Sequence, residues 1–204
     1  DCIYRRLDDT FMDPKAFFKG SLIGVPGLFK AWRKGNVGIL NAPGTGIADD
    51  KAIYSYVDKM IVYYLGEQPK IQQVETLLCS EKIHREHVIE NISKFVVKPT
   101  NGSGGNGILI GPHASKKNRE EMKKNILKNP RNYIAQPLEI LSTTPTITEK
   151  SIEPRHLDLR PFVLSGKSTW VTTGGLTRVA LKKGSTIVNS SQGGGSKDTM
   201  IIDM

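Results

Sequence analysis

The chain has 204 residues, and 29 basic against 20 acidic side chains leave a formal net charge of +9. With 38% hydrophobic and 24% charged residues it is not a disordered chain, and its length suffices for one domain or two small ones with a buried core. Cys2 and Cys79 are too few for a disulfide framework and suit a reducing, cytoplasmic setting. No uncharged apolar run reaches the roughly 18 residues of a membrane helix, and the start lacks a signal-peptide pattern. The composition reads as a soluble globular protein with no membrane partner. It opens at Asp1 without an initiator methionine and ends on the apolar stretch Met200 to Met204, which reads as a fragment or a processed chain.

Cys2-Ile3-Tyr4 reads as strand from its first residue. Residues 35–41 read as a short buried strand, followed by the loop Ala42-Pro43-Gly44-Thr45-Gly46. A helix is expected to start near Asp49-Asp50, acids suited to the positive end of its dipole. Ile53, Tyr56, Val57, Met60, Ile61 and Tyr64 recur at three- and four-residue steps before Gly66 stops it. A weaker helix follows from about Glu81 to Asn91. Then come Phe95-Val96-Val97-Lys98 as strand, a glycine loop, Ile108-Leu109-Ile110 as strand, a basic helix, and Tyr133-Ile134-Ala135-Gln136 as strand. The remainder reads mostly as β, over Asp158 to Leu164, Ser168 to Thr173, Leu176 to Leu181 and Thr186 to Asn189. Helices interleave with strands and strands then dominate, which favours α+β over a doubly wound parallel sheet.

The basic helix, Ser115 to Arg131, holds seven basic residues against two acidic ones, a net +5 of the chain's +9. Ser115 suits the N-cap and Pro130 falls just past the end, while Met122, Ile126 and Leu127 would form a narrow apolar stripe. A solvated amphipathic face and a contact for nucleic acid or another polyanion are both open. The first is preferred, because no aromatic interleaving or nucleic-acid motif accompanies the charge.

The loop Asn101-Gly102-Ser103-Gly104-Gly105-Asn106-Gly107 satisfies the spacing GxGxxG. A dinucleotide fold needs a helix directly after such a loop, whereas Ile108-Leu109-Ile110-Gly111-Pro112 is too short and apolar for one. No GxxxxGK[ST] is present, which removes the P-loop class. A glycine hairpin covering phosphates remains: without Cβ atoms its N–H groups can close on anionic oxygens, and Lys98 would add a fixed positive charge. A plain β-hairpin turn beside a surface lysine is the other reading.

Val96-Val97-Lys98-Pro99, the glycine loop and then Tyr133-Ile134-Ala135-Gln136-Pro137 resemble an ATP-grasp nucleotide site. The wider series is more specific. Ile3 to Asp9, Gly24-Val25-Pro26-Gly27, Gly46 to Ala52, Arg155 to Phe162, Gly174 to Arg178 and Asn189 to Gly195 resemble, in order, the circularly permuted ATP-grasp proteins, distant relatives of glutathionylspermidine synthetase. That resemblance covers nearly the whole chain and implies an α+β fold with ATP held between two subdomains. It divides the chain into 1–45 (the end of a preceding α/β domain and a connection), 46–134 (the N-subdomain) and 135–204 (part of the C-subdomain). It further implies an ATP- and magnesium-dependent ligase joining a small-molecule or peptide carboxylate to an amine acceptor through an acyl phosphate.

By the same resemblance, Lys98 contacts phosphate oxygens and Gly102, Ser103, Gly104, Gly105, Asn106 and Gly107 close over them. Lys51, matching an Asn-Lys pair that opens the corresponding helix in the synthetase relatives, is a further phosphate contact. Gln136, Pro137 and Leu138 form the adenine hinge, with the Gln136 amide reading the ring edge. Arg160 and Arg178 clamp the transition state or acyl phosphate, a salt bridge inside the β-rich part being the alternative for each. Asn189 is placed at the cofactor, yet Ile187 stands where a Glu-x-Asn magnesium pair needs its Glu. The metal ligands are therefore expected upstream of these residues, with Asp158 and Asp198 as fallbacks, and no residue is assigned to a metal. A non-catalytic ATP-grasp scaffold or partner-binding protein is the rival reading, and the polyanion binder a second.

Other constellations carry less. His84-Arg85-Glu86-His87 has the wrong order and spacing for a zinc protease. Cys79, beside Leu77 and Leu78, reads as a buried small hydrophobe, and Tyr54, Tyr56, Tyr63 and Tyr64 as packed in or beside the core. Gly193-Gly194-Gly195-Ser196-Lys197 lacks the phosphate-loop spacing.

Overall fold

The computed structural model describes residues 1–102, 105–148, 151–189 and 193–201, and Ser103, Gly104 and the stretch 190–192 of the sequence motifs lie outside it. The chain divides into two compact units: Asp1–Gly102 with Gly107–Pro137, and Leu138–Met204 with Ser103–Asn106. Their four-stranded sheets are wholly antiparallel, in keeping with the α+β reading.

In the first unit, β1 (Cys2–Tyr4) pairs in parallel with β2 (Gly38–Leu40), of which Ile39 alone is buried. Between them lie α1 (Asp9–Met12) and α2 (Leu28–Arg33). Asp13 does for α2 what its own N-cap, the left-handed Gly27, cannot. One carboxylate oxygen accepts from the N–H groups of Lys15 (2.8 Å) and Gly27 (3.0 Å), the other from Phe29 (3.0 Å). Burial opposes the charge on Asp13, but these three donors outweigh it and hold its carboxyl below the ordinary aspartate value. Gly24 lets the chain pass this point: a Cβ there would sit 2.1 Å from the Phe11 carbonyl oxygen.

The expected helix from residue 49 to Gly66 is broken. A 3-10 turn over Thr45–Asp49 precedes α3 (Lys51–Tyr54), capped by Asp50, and α4 (Val57–Leu65) follows, closed by Gly66 at φ 66°. The break has a local cause. Both the N–H and the hydroxyl of Ser55 donate to the Ala52 carbonyl, so the Tyr56 N–H turns to Ile53 instead. Nothing in α4 is fully buried, and Tyr63 and Tyr64, expected beside the core, are 81% and 75% exposed.

The sheet of this unit runs β3 (Leu77–Leu78), β6 (Tyr133–Pro137), β4 (Phe95–Pro99), β5 (Leu109–Ile110). One face carries Leu77, Phe95, Val97, Leu109 and Ala135, packed with Cys79 on Val88 of α5 (Lys82–Glu90) and Ile126 of α6 (Lys116–Lys128). Ser115 caps α6 through the Asn118 N–H as expected. Its apolar stripe is narrower than the sequence implies: Met122 and Ile126, four residues apart, point into the core, while Leu127, one step further round, is 61% exposed. Gly111 follows β5 where a Cβ would meet the Ile92 carbonyl oxygen at 2.0 Å.

The second unit is one sheet in the order β10 (Gly194–Lys197), β9 (Thr169–Ala180), β8 (Ile152–Ser165), β7 (Thr143–Ile147). The two strands expected at 168–173 and 176–181 are one. Gly174-Gly175 does not turn the chain but stays within β9, where Gly175 faces Pro161 and a Cβ would lie 2.9 Å from the Arg160 carbonyl oxygen. The strand expected at 186–189 is absent. Gly194 of β10 passes so close to Val188 that a Cβ would sit 2.2 Å from its carbonyl oxygen.

Two outcomes check this account. Ile126→Ala should cost about 2–4 kcal/mol in urea denaturation, against roughly 0.5 kcal/mol or less for Leu127→Ala. Asp13→Asn should cost about 1–3 kcal/mol near neutral pH. Because the folded carboxyl titrates below its ordinary value, its contribution is present above about pH 4 and lost as pH falls through the folded value. The difference between wild type and Asp13→Asn should shrink over that acid range, and a constant difference would contradict the assignment.

Candidate functional site

Strand alternation puts Val96 and Lys98 of β4 on the same face as Ile134 and Gln136 of β6, opposite the core of α5 and α6. On that face the Lys98 ammonium donates to the Gln136 amide oxygen at 2.6 Å. Gln136 is 8% exposed, and its amide nitrogen donates to the Thr76 hydroxyl at 2.8 Å. Burial, followed by the charge of Lys51, pulls Lys98 below the ordinary lysine value.

Lys51 reaches this neighbourhood because α3 starts against the end of β4. Its backbone N–H donates to the Thr100 carbonyl at 3.0 Å, and its ammonium to the Gly102 carbonyl at 2.8 Å. The chain leaves β4 through Gly102 at φ 122° and returns through Gly105 and Gly107 at 83° and 72°, conformations that suit glycine. Strand, glycine loop and antiparallel strand follow in the order read from the sequence. The structure thus brings Lys51, Lys98, Gly102 and Gln136 together within the first unit. Pro137 ends β6 opposite Phe95, Leu138 begins the second unit, and Asn106 is exposed.

In the second unit, Asp158 stands directly across from Arg178 in the β8–β9 register. The Arg160 Nε lies 3.6 Å from Asp158 Oδ2, and Arg178 Nη1 donates to Asn189 Oδ1 at 3.1 Å. Among the described residues, one oxygen of Asp158 and the Nε of Arg178 are buried without a hydrogen-bond partner. Three residues named from the sequence, Arg160, Arg178 and Asn189, therefore share one cluster, in which each arginine has a protein partner.

The histidines are scattered: His84 pairs with Glu81, His87 lies edge-on to Phe95, and His156 meets the Leu141 carbonyl. Among the described residues, no three His, Cys, Asp or Glu side chains group as metal ligands. Cys79 is fully buried, and burial pushes its thiol up to about 11 against the pull of Arg85. On α6, Lys123 pairs with Glu120 and Arg119 donates to the Ala114 carbonyl. No described helix is long and apolar enough to cross a membrane.

Sequence reading missed Thr76 and gave Tyr54 only a place in or beside the core. The Tyr54 hydroxyl, at the end of α3, accepts from the Val74 N–H at 3.0 Å, and the Thr76 hydroxyl donates to the Val74 carbonyl at 3.0 Å. The Tyr54–Val74 contact joins residues 20 apart and the Thr76–Gln136 contact residues 60 apart, so no local signal announces them.

The chain matches the circularly permuted ATP-grasp type 2 family over residues 1–180, and it belongs to that family. Over 203 residues it is 53% identical to an uncharacterised protein of Synechocystis sp., covering 99% of this chain and 42% of that protein. An uncharacterised protein of Mycobacterium tuberculosis is 51% identical over 203 residues, covering 99% and 37%. A Frankia casuarinae protein with the provisional name glutamate–cysteine ligase is 47% identical over 201 residues, covering 98% and 23%. The chain spans about two fifths or less of the length of these relatives.

If Lys51 is the neighbouring charge that depresses Lys98, Lys51→Met should move the Lys98 titration, followed by NMR of labelled lysine, upward towards the ordinary value. An unmoved titration would remove Lys51 from the site.

Proposed function

We propose that this chain is the nucleotide-gripping part of an ATP-dependent ligase joining a carboxylate to an amine. One observation carries the reading: at the root of a glycine hairpin two lysine ammonium groups are held by neutral oxygens, one of them depressed first by burial and then by the charge of the other. Among the described residues neither lysine has an acidic partner within salt-bridge distance. Two like charges held together are relieved by an anion, and a triphosphate supplies several negative oxygens at once.

In this reading Lys98 and Lys51 take the phosphates, and Gly102 to Gly107 lend backbone N–H groups. Gln136 to Leu138 lie towards the adenine, the Gln136 amide being shared with Lys98. The acid oxygen attacks the γ-phosphorus and ADP leaves. The amine nitrogen then attacks the acyl carbon, phosphate leaves, and the nitrogen gives up a proton. Arg160 and Arg178 offer guanidinium charge to the acyl phosphate. Asn189, bonded to Arg178, orients that fork. Magnesium does not fit the described residues as a complete site, because Asp158 is already matched with Arg160 and lacks a second acid. The reading leaves that ion to ligands supplied elsewhere in the longer protein and routes no step through it here.

The provisional name of the Frankia relative, which describes an amino-acid carboxylate joined to an amine, agrees with this reaction class. Since the chain spans 23% of that protein, the name does not select the substrates. Calorimetric titration of the full-length protein with ATP should give measurable affinity, falling about tenfold or more in Lys98→Ala. Equal affinity in the variant would remove the assignment. ADP release should appear with some pairing of amino acids, polyamines or small peptides, and its absence across them would favour a non-catalytic nucleotide-binding scaffold.

A further inference from the structure

Among the described residues the Lys98 ammonium has one side-chain acceptor, the amide oxygen of Gln136. A primary amide presents oxygen on one side and NH2 on the other, so its usefulness to a cation depends on which way it is turned. Lys98 can only donate and so favours the amide oxygen, and Thr76 holds the amide from the other side: its hydroxyl donates to the Val74 carbonyl at 3.0 Å and turns its lone pairs towards Gln136. The amide must then present its NH2 to Thr76, as it does at 2.8 Å, and its oxygen to Lys98. Val74 is itself fixed from the other direction, its N–H donating to the Tyr54 hydroxyl on the same helix that begins with Lys51.

We propose that Thr76 is a positioning residue for the Lys98 ammonium, acting by locking the Gln136 amide with its oxygen towards the lysine. The effect on ATP affinity rests on the phosphate reading given above; the orientation itself does not. Without the hydroxyl the amide NH2 loses the partner that holds it, and the amide oxygen is less firmly kept on the ammonium in a buried setting where water cannot compensate. The charges facing this point are few. From α3 come the ammonium of Lys51 and the phenol of Tyr54, and the Thr76 segment carries the exposed Glu75. On this face β3, β5 and β6 present Leu78, Ile110, Ile134 and Gln136, none of them ionisable.

The test uses the full-length protein without nucleotide, labelled at lysine Cε, with Lys98 assigned by its loss in Lys98→Arg. Thr76→Val preserves shape and removes the hydroxyl, Thr76→Ala covers the case in which valine disturbs folding, and Thr76→Ser restores the hydroxyl. Lys98 should titrate roughly half a unit to one unit lower in the valine or alanine variant than in wild type, the worth of one lost hydrogen bond of about 1 kcal/mol. The serine variant should return it to the wild-type value. A merely structural threonine would lower the unfolding midpoint without moving this titration, and that result overturns the proposal. ATP affinity, measured on the same variants, should fall several-fold with valine and recover with serine. A titration that moves while ATP affinity does not would uphold the positioning role and count against the phosphate reading instead.

Discussion

The antiparallel register of β4 against β6 is the constraint on which the first unit depends. Because side chains alternate along a strand, one register sends Phe95, Val97 and Ala135 into the core beneath α5 and α6 and turns Lys98 and Gln136 to the opposite face. A slip of one residue would exchange the two sets, burying an ammonium in the aliphatic core. The hydrophobic demand of one face therefore fixes the polar geometry of the other. Core packing and the candidate phosphate grip are two consequences of the same pairing.

The polar face is arranged at some cost. A partly buried ammonium gives up hydration, and a second ammonium on α3 adds repulsion. Neutral oxygens, of Gln136 for Lys98 and of Gly102 for Lys51, meet the two groups and leave their charge uncancelled. A carboxylate in either place would stabilise the empty protein and compete with an incoming anion. The choice of amide and carbonyl acceptors keeps the site cationic, which is the property that anion binding needs.

The second unit obeys a different economy. β7 pairs with β8 only as far as His156, and β10 with β9 only from Thr177 onward, so the far part of the β8–β9 hairpin is a two-stranded ribbon. Its Phe162, Leu164 and Trp170 are exposed, whereas Val179 and Ala180, where the sheet is wider, are buried. The arginine cluster lies on the wider part. There Arg178 has a neighbour strand on each side, Asp158 opposite it in β8 and Ser196 in β10, and cross-strand pairing can hold a guanidinium in place.

Much of this was legible in the sequence. The strand, glycine loop and strand around residues 95–110 and the Ser115 cap follow from local pattern, because turn chemistry and capping act over a few residues, whereas Lys51 was named only through the family resemblance. Membership of the ATP-grasp family was legible from motifs spread along the chain. What failed were inferences that extended a period past its cause. The stripe from Ile53 to Tyr64 takes no account of the Ser55 hydroxyl competing for a backbone carbonyl, and dividing the strand at Gly174-Gly175 misses the close approach to Arg160, which is invisible in one dimension. The sequence by itself determined which residues carry charge, where glycine permits the hairpin to turn, and which positions alternate. Only the tertiary structure decided that Lys98 and Thr76 meet at Gln136 and that Lys51 reaches Gly102, since contacts between residues 38 to 60 apart arise from strand pairing and helix docking, which no local rule encodes.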